Sequence, residues 1–216
     1  LVSLVFTALA ILLIDKVGRR PLVNIGLAAS IMFLLLCVYA FSQATYQIDA
    51  AALASLISAH PELSILSDSN IVNTIYDNDV SFKQAARALL SNDLWSTTES
   101  ALFTAAININ ANLVLIGIVG FIAAFHLSIG PIMWVVFSEI VPTQIRSIAI
   151  PSFAFVCSLV SFFMQKYFPL FLNNAGATMV FLSYAVSGLV GLILLYKLLP
   201  ETKGKSIEEI ERILVK

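Results

Sequence analysis

Residues 21–43 read PLVNIGLAASIMFLLLCVYAFSQ, a run with no formal charge. A helix needs about 20 mostly apolar residues to cross the ~30 Å hydrocarbon core of a bilayer. This run is long enough, and Pro21 suits the first turn of a helix, where no amide hydrogen is required. It therefore predicts a membrane-spanning helix. The rest of the chain supports the same solvent: 59% of the 216 residues are hydrophobic and 12% are charged, with mean hydropathy +0.94. Soluble domains carry about 25% charged residues.

Working outward, Asp15–Arg20 is a polar turn, and Leu1–Ile14 before it is apolar but short. That first segment reads as a spanning helix entered part-way, or as a re-entrant piece. On the other side, residues 100–138 hold no formal charge but exceed one crossing. Asn108, Asn110 and Asn112 mark an entry region, which places the span at about Leu113–Phe137. Ser147–Leu172 holds one charge, Lys166, which can snorkel from near a helix end. Asn173–Ala177 is a short turn, and Thr178–Tyr196 is the fifth span. Four units follow: 1–43, 44–107, 108–199 and 200–216.

Orientation follows from lysine and arginine. With Asp15–Arg20 cytoplasmic, helix parity also places Ser138–Arg146 and the C-terminal tail inside. Nine of the twelve basic residues then lie on that side. The opposite side holds residues 44–107, where seven acids face two bases, Lys83 and Arg87, for a net charge of −5. Asp49–Ala59 and Phe82–Leu90 have helical spacing, so two or three short helices lying on the membrane face are expected there. The segment carries no motif and no Asn-x-Ser/Thr sequon, and reads as a spacer. In the tail, Ser206 and Glu209 form a capping-box pattern ahead of an Ile207, Ile210, Leu214 stripe. There is no basic nucleic-acid patch. Cys37 and Cys157 suggest neither a disulfide framework nor a metal cluster. No nucleophile–base pair, phosphate loop or metal-ligand spacing is present, so neither an enzyme nor a cofactor is expected.

Three clusters fall on the cytoplasmic side. The first is Asp15-Lys16-Val17-Gly18-Arg19-Arg20. The second is Gly130-Pro131-Ile132-Met133-Trp134, then Ser138-Glu139-Ile140-Val141-Pro142, then Arg146. The third is Pro200-Glu201-Thr202-Lys203-Gly204. In this order, separated by spans of the right parity, they resemble the signatures of the sugar porter family of the major facilitator superfamily. The resemblance covers nearly the whole chain except the long loop. It implies an all-α membrane protein: a partial bundle of that superfamily, with family helices 8 (partial) to 12 and short extramembrane helices. The N-terminal half of the transporter would lie outside these residues. The implied activity is transport of a monosaccharide or polyol by alternating access, as facilitator or proton symporter, in the cell (inner) membrane with a cytoplasmic C-terminus. The competing expectation is a truncated, non-transporting membrane protein or a sugar sensor. The 216 residues alone are expected to transport nothing, because sites in this fold lie between two halves.

The resemblance also assigns residues. Phe125, His126, Gly130 and Trp134 match positions that line the sugar site. An indole offers a plate for a pyranose face and an N–H donor, and Pro131 frees the carbonyl of Leu127. His126 lies mid-span, where an ionisable group marks a functional position by default. The same residues also fit plainer roles: Trp134 and Phe125 as packing, His126 bonded to a neighbouring helix. Asp15, Arg19, Arg20, Glu139, Arg146 and Glu201 match a cytoplasmic gate of ion pairs, and would otherwise anchor helix ends. One departure concerns the substrate. Where the family places Asn or Gln beside Trp, this chain has Cys157 and Ser158, leaving Ser158, Ser161 and Gln165 as the polar groups of that helix.

Overall fold

The computed structural model describes residues 1–67, 69–205 and 209. The tail pattern at Ser206, Ile207, Ile210 and Leu214 lies outside the described residues. The first pair of helices is α1 (Val2–Val17) and α2 (Arg19–Ser42). The polar turn between them narrows to Gly18, whose φ of 101° is one that L side chains avoid. Both helices therefore extend further than the charge pattern implied.

The expected single span at 113–137 is two helices, α6 (Ala111–Leu127) and α7 (Ile129–Ile140). The chain leaves helical geometry at Ser128, with φ −131° and ψ −92°. Pro131 lies in the first turn of α7, where its missing amide costs nothing. Ser128 is fully buried and returns its hydroxyl to the carbonyl of Ala124 at 2.7 Å. Gly26 of α2 lies against that hydroxyl, and a Cβ there would overlap it. Small residues at such points let helices approach closely in lipid.

The last helix, α8 (Arg146–Leu198), is interrupted only at Gly176, with φ 81° and ψ 167°. The expected turn at 173–177 contracts to that one residue. Its second stretch runs antiparallel to α2. Arg20 meets Tyr196, Ile31 faces Gly188, and Phe41 stacks on Phe181 at 5.3 Å. By length and apolar composition, 19–42, 111–140 and 146–198 can cross a membrane, the last far longer than one crossing needs.

Residues 44–107 form more than helices resting on a membrane. They hold β1 (Thr45–Tyr46), α3 (Ala50–Ala59), a 3-10 turn (Pro61–Leu66), α4 (Asp79–Leu89), α5 (Asn92–Ala106) and β2 (Ile107–Asn108). The strands pair antiparallel, Thr45 with Asn108 and Tyr46 with Ile107, so the two ends of the segment close on each other. Asp49, Asn78 and Ser91 each accept an amide N–H at the start of a helix, satisfying donors that would otherwise be orphaned. Tyr46, Ile48, Leu63, Leu66, Phe82 and Leu102 are fully buried in a core of their own. Both bases have partners within the segment: Lys83 pairs with Glu99 at 3.4 Å, and Arg87 lies over Trp95.

Candidate functional site

Two places draw the family-matched residues together. The first is a polar cluster at the end of the bundle holding Gly18 and Val141. Arg19 reaches Glu139 Oε1 from Nη2 at 3.0 Å and from Nε at 3.3 Å, and Asp15 from Nη1 at 3.1 Å. Glu201 accepts from the backbone amides of Arg19, Arg20 and Lys203 at 3.0–3.2 Å. A carboxylate on consecutive free amides at a helix start is favourably placed by hydrogen bonding and by the helix dipole. This explains the glycine of the first motif. A Cβ on Gly18 would stand 2.8 Å from Glu201 Oε2.

Thr202 and Lys203 complete the cluster, though neither was expected in it. Thr202 is 3% exposed and donates to Glu139 Oε2 at 2.6 Å, and Lys203 Nζ donates to the Lys16 carbonyl at 2.6 Å. Their presence in the P-E-T-K-G motif was the available signal. Arg20 turns its guanidinium to the Tyr196 carbonyl at 2.7 Å and over the Tyr196 ring. Arg146 instead donates to Val141 O within its own loop at 3.2 Å. Its buried Nε has no hydrogen-bond partner among the described residues.

The second place is a cavity of about 780 Å³ between α7 and the first stretch of α8, lined by Trp134, Cys157, Ser158, Ser161, Gln165 and Lys166 among others. Helical spacing puts Ser158, Ser161 and Gln165 on one face. Trp134 is half exposed, edge-on to Phe137, which packs on Phe153 of α8. The other three expected lining residues lie elsewhere on the helix pair. Phe125 lines a separate apolar cavity of about 550 Å³ with Leu27, Ile31 and Phe181. Its ring would meet a Cβ at Gly130, and it stands edge-on to His126 at 5.5 Å. His126 Nδ1 lies 3.4 Å from Thr7 Oγ1 of α1. The neighbouring-helix partner is therefore present, and Trp134 alone of the four lines the polar cavity.

A bundle of apolar helices, one broken at a Ser-Ile-Gly-Pro step and tied at one end by charged motifs, is that of an integral membrane protein. A crystal structure of a double tryptophan mutant of XylE superposes with a TM-score of 0.63, at 24% identity, covering 99% of this chain and 33% of that one. The family model described as "Sugar (and other) transporter" matches residues 92–214. The chain is 30% identical to facilitated glucose transporter member 10 of solute carrier family 2 from Danio rerio, over 98% of this chain and 38% of that protein. It is 26% identical to the arabinose-proton symporter of Bacillus subtilis, over 100% of this chain and 33% of that protein. The chain belongs to the sugar porter family of the major facilitator superfamily. It spans between a third and two-fifths of the length of these two relatives. Their similarity points to transport rather than catalysis.

Proposed function

We propose that the transporter to which this chain contributes moves a monosaccharide or polyol by alternating access. The observation that carries this reading is the wall shared by Trp134, Ser158, Ser161 and Gln165. An aromatic plate beside hydroxyl and amide groups can stack on the C–H face of a sugar ring while its hydroxyls find partners. In this reading Trp134 is the plate. Phe125, Gly130 and His126 act one layer behind: Gly130 leaves room for Phe125, and His126 holds α6 to α1 through Thr7.

The cytoplasmic gate is built on Glu139, Arg19, Glu201 and Asp15. Arg20 fixes the start of α2 to the end of α8, and Arg146 fixes the loop before α8. Ion pairs made in one global state and broken in the other bias the equilibrium between them. The membrane is the cell membrane, with the cluster and the C-terminus on the cytoplasmic side. Relatives described as a facilitated glucose transporter and an arabinose-proton symporter frame the choice of coupling. The test is uptake of labelled neutral sugars and polyols by proteoliposomes of the complete transporter, with and without an imposed proton gradient. Saturable uptake supports the reading, and its gradient dependence separates symport from facilitation. No uptake of any of these solutes would overturn it.

A further inference from the structure

Residues 147–196 hold one formal charge, Lys166. A lysine in a spanning helix either reaches the headgroup region or faces a water-filled passage. Here Lys166 shares the cavity wall with Trp134, Ser158, Ser161 and Gln165, not the apolar back of the helix. Its Nζ stands 5.9 Å from the ring centroids of both Phe162 and Tyr167, which flank the ammonium. Among the described residues, no acidic side chain lines the cavity. Among the described residues, the ion pairs are Arg19 with Asp15, Arg19 with Glu139, and Lys83 with Glu99, and Lys166 is in none of them.

Among the described residues the wall thus offers two aromatic rings, Trp134 and Phe162, hydroxyl and amide groups, one cation and no anion. Ser161 and Lys166 are five residues apart, about 7.5 Å along a helix axis, which is close to the length of a monosaccharide. The ammonium therefore addresses one end of a solute whose hydroxyls meet Ser161 and Gln165. An unneutralised cation on a binding wall favours an anionic guest over a neutral one of the same shape. We propose that Lys166 is a specificity-determining residue that makes this cavity accept a carboxylated sugar, a uronate or aldonate, in preference to its neutral counterpart. This inference rests on the sugar-transport reading and narrows its substrate class.

The test uses proteoliposomes of the complete transporter with D-glucose and D-glucuronate as labelled probes, comparing wild type with Lys166→Gln and Lys166→Arg. Expected is wild-type uptake of glucuronate that competes with glucose. Lys166→Gln should weaken glucuronate competition roughly tenfold more than it weakens glucose uptake, the size of one charge-assisted hydrogen bond. Lys166→Arg should keep the preference. Wild-type glucose uptake indifferent to glucuronate would overturn the inference and leave the transport reading standing. So would a Lys166→Gln variant that loses both sugars alike, which would make Lys166 a structural anchor. Uptake of neither sugar by a wild type that moves other neutral sugars or polyols would overturn this inference alone; uptake of none of these solutes would remove the transport reading with it.

Discussion

Arg19 and Glu139, 120 positions apart in the chain, meet with Nη2 3.0 Å from Oε1, their side chains 15% and 22% exposed. The second oxygen of Glu139 is taken by the Thr202 hydroxyl. One carboxylate thus joins the start of α2, the end of α7 and the segment after α8. Glu139→Gln keeps the shape and removes the charge. Hydrogen bonds to charged groups contribute about 1.5–3 kcal/mol, so the inward/outward ratio should shift about tenfold or more. Labelling of single cysteines by an impermeant thiol reagent from each side would report it, with substrate affinity changing less. Unchanged labelling would count against a gate. The Asp15–Arg19 pair, with Asp15 77% exposed, should matter much less.

Trp134→Ala should reduce uptake by the complete transporter severely, about tenfold if stacking contributes 1–2 kcal/mol. Membrane insertion should stay intact, because the half-exposed ring is not part of a buried core. Trp134→Phe keeps a plate and should recover much of the uptake. Kinetics unchanged in the alanine variant would take Trp134 out of the site.

The helical, apolar character of the bundle was legible because lipid leaves little freedom: backbone groups must be satisfied within the helix, and charges retreat to its ends. The charged motifs were legible for the same reason, since polar residues at those ends stand out. Arg146 was not, because an arginine in a loop can cap its own turn as readily as join a network, and residue type does not distinguish the two. Thr202 carried no signal beyond its place in the P-E-T-K-G motif; its role depends on where Glu139 lands. The break at Ser128 came three residues ahead of Pro131, since proline fits the first turn of the new helix and the distortion moves to the residue before it. The core of residues 44–107 was hidden by distance: Tyr46 pairs with Ile107, and its ring packs on Phe82 and Phe103. No local periodicity announces such contacts.

That domain is fastened to the break in α8. Asp79 is buried and accepts the Ala177 amide at 3.2 Å, and Lys83 Nζ reaches Asn173 Oδ1 at 3.4 Å. Gly176 has backbone angles that only glycine adopts freely, and a Cβ there would overlap Asp79 Oδ1. Gly176→Ala should therefore cost about 1–3 kcal/mol locally. Asp79→Asn should cost somewhat less, since an amide oxygen still accepts. Both should speed amide hydrogen exchange at Ala177 and through α4. Exchange that stays as slow as wild type would mean the domain is held by other contacts.

Tyr46 gives the same domain a pH dependence. Burial raises its phenol above the ordinary value, and the neighbouring Asp79 carboxylate adds to the rise. An unfolded tyrosine titrates near pH 10. A phenol with a higher folded value keeps its contribution to stability below about pH 10 and loses it as pH rises through the folded value, because the unfolded chain releases the proton first. Alkaline titration should therefore unfold the domain in wild type, with tyrosinate absorbance from Tyr46 appearing together with loss of the near-ultraviolet signal. Tyr46→Phe removes the proton and should move that transition to higher pH, provided the ring still packs on Phe82 and Phe103. Early, reversible titration of Tyr46 near pH 10 with the domain still folded would show that its hydroxyl is open to solvent, and the predicted dependence would fail.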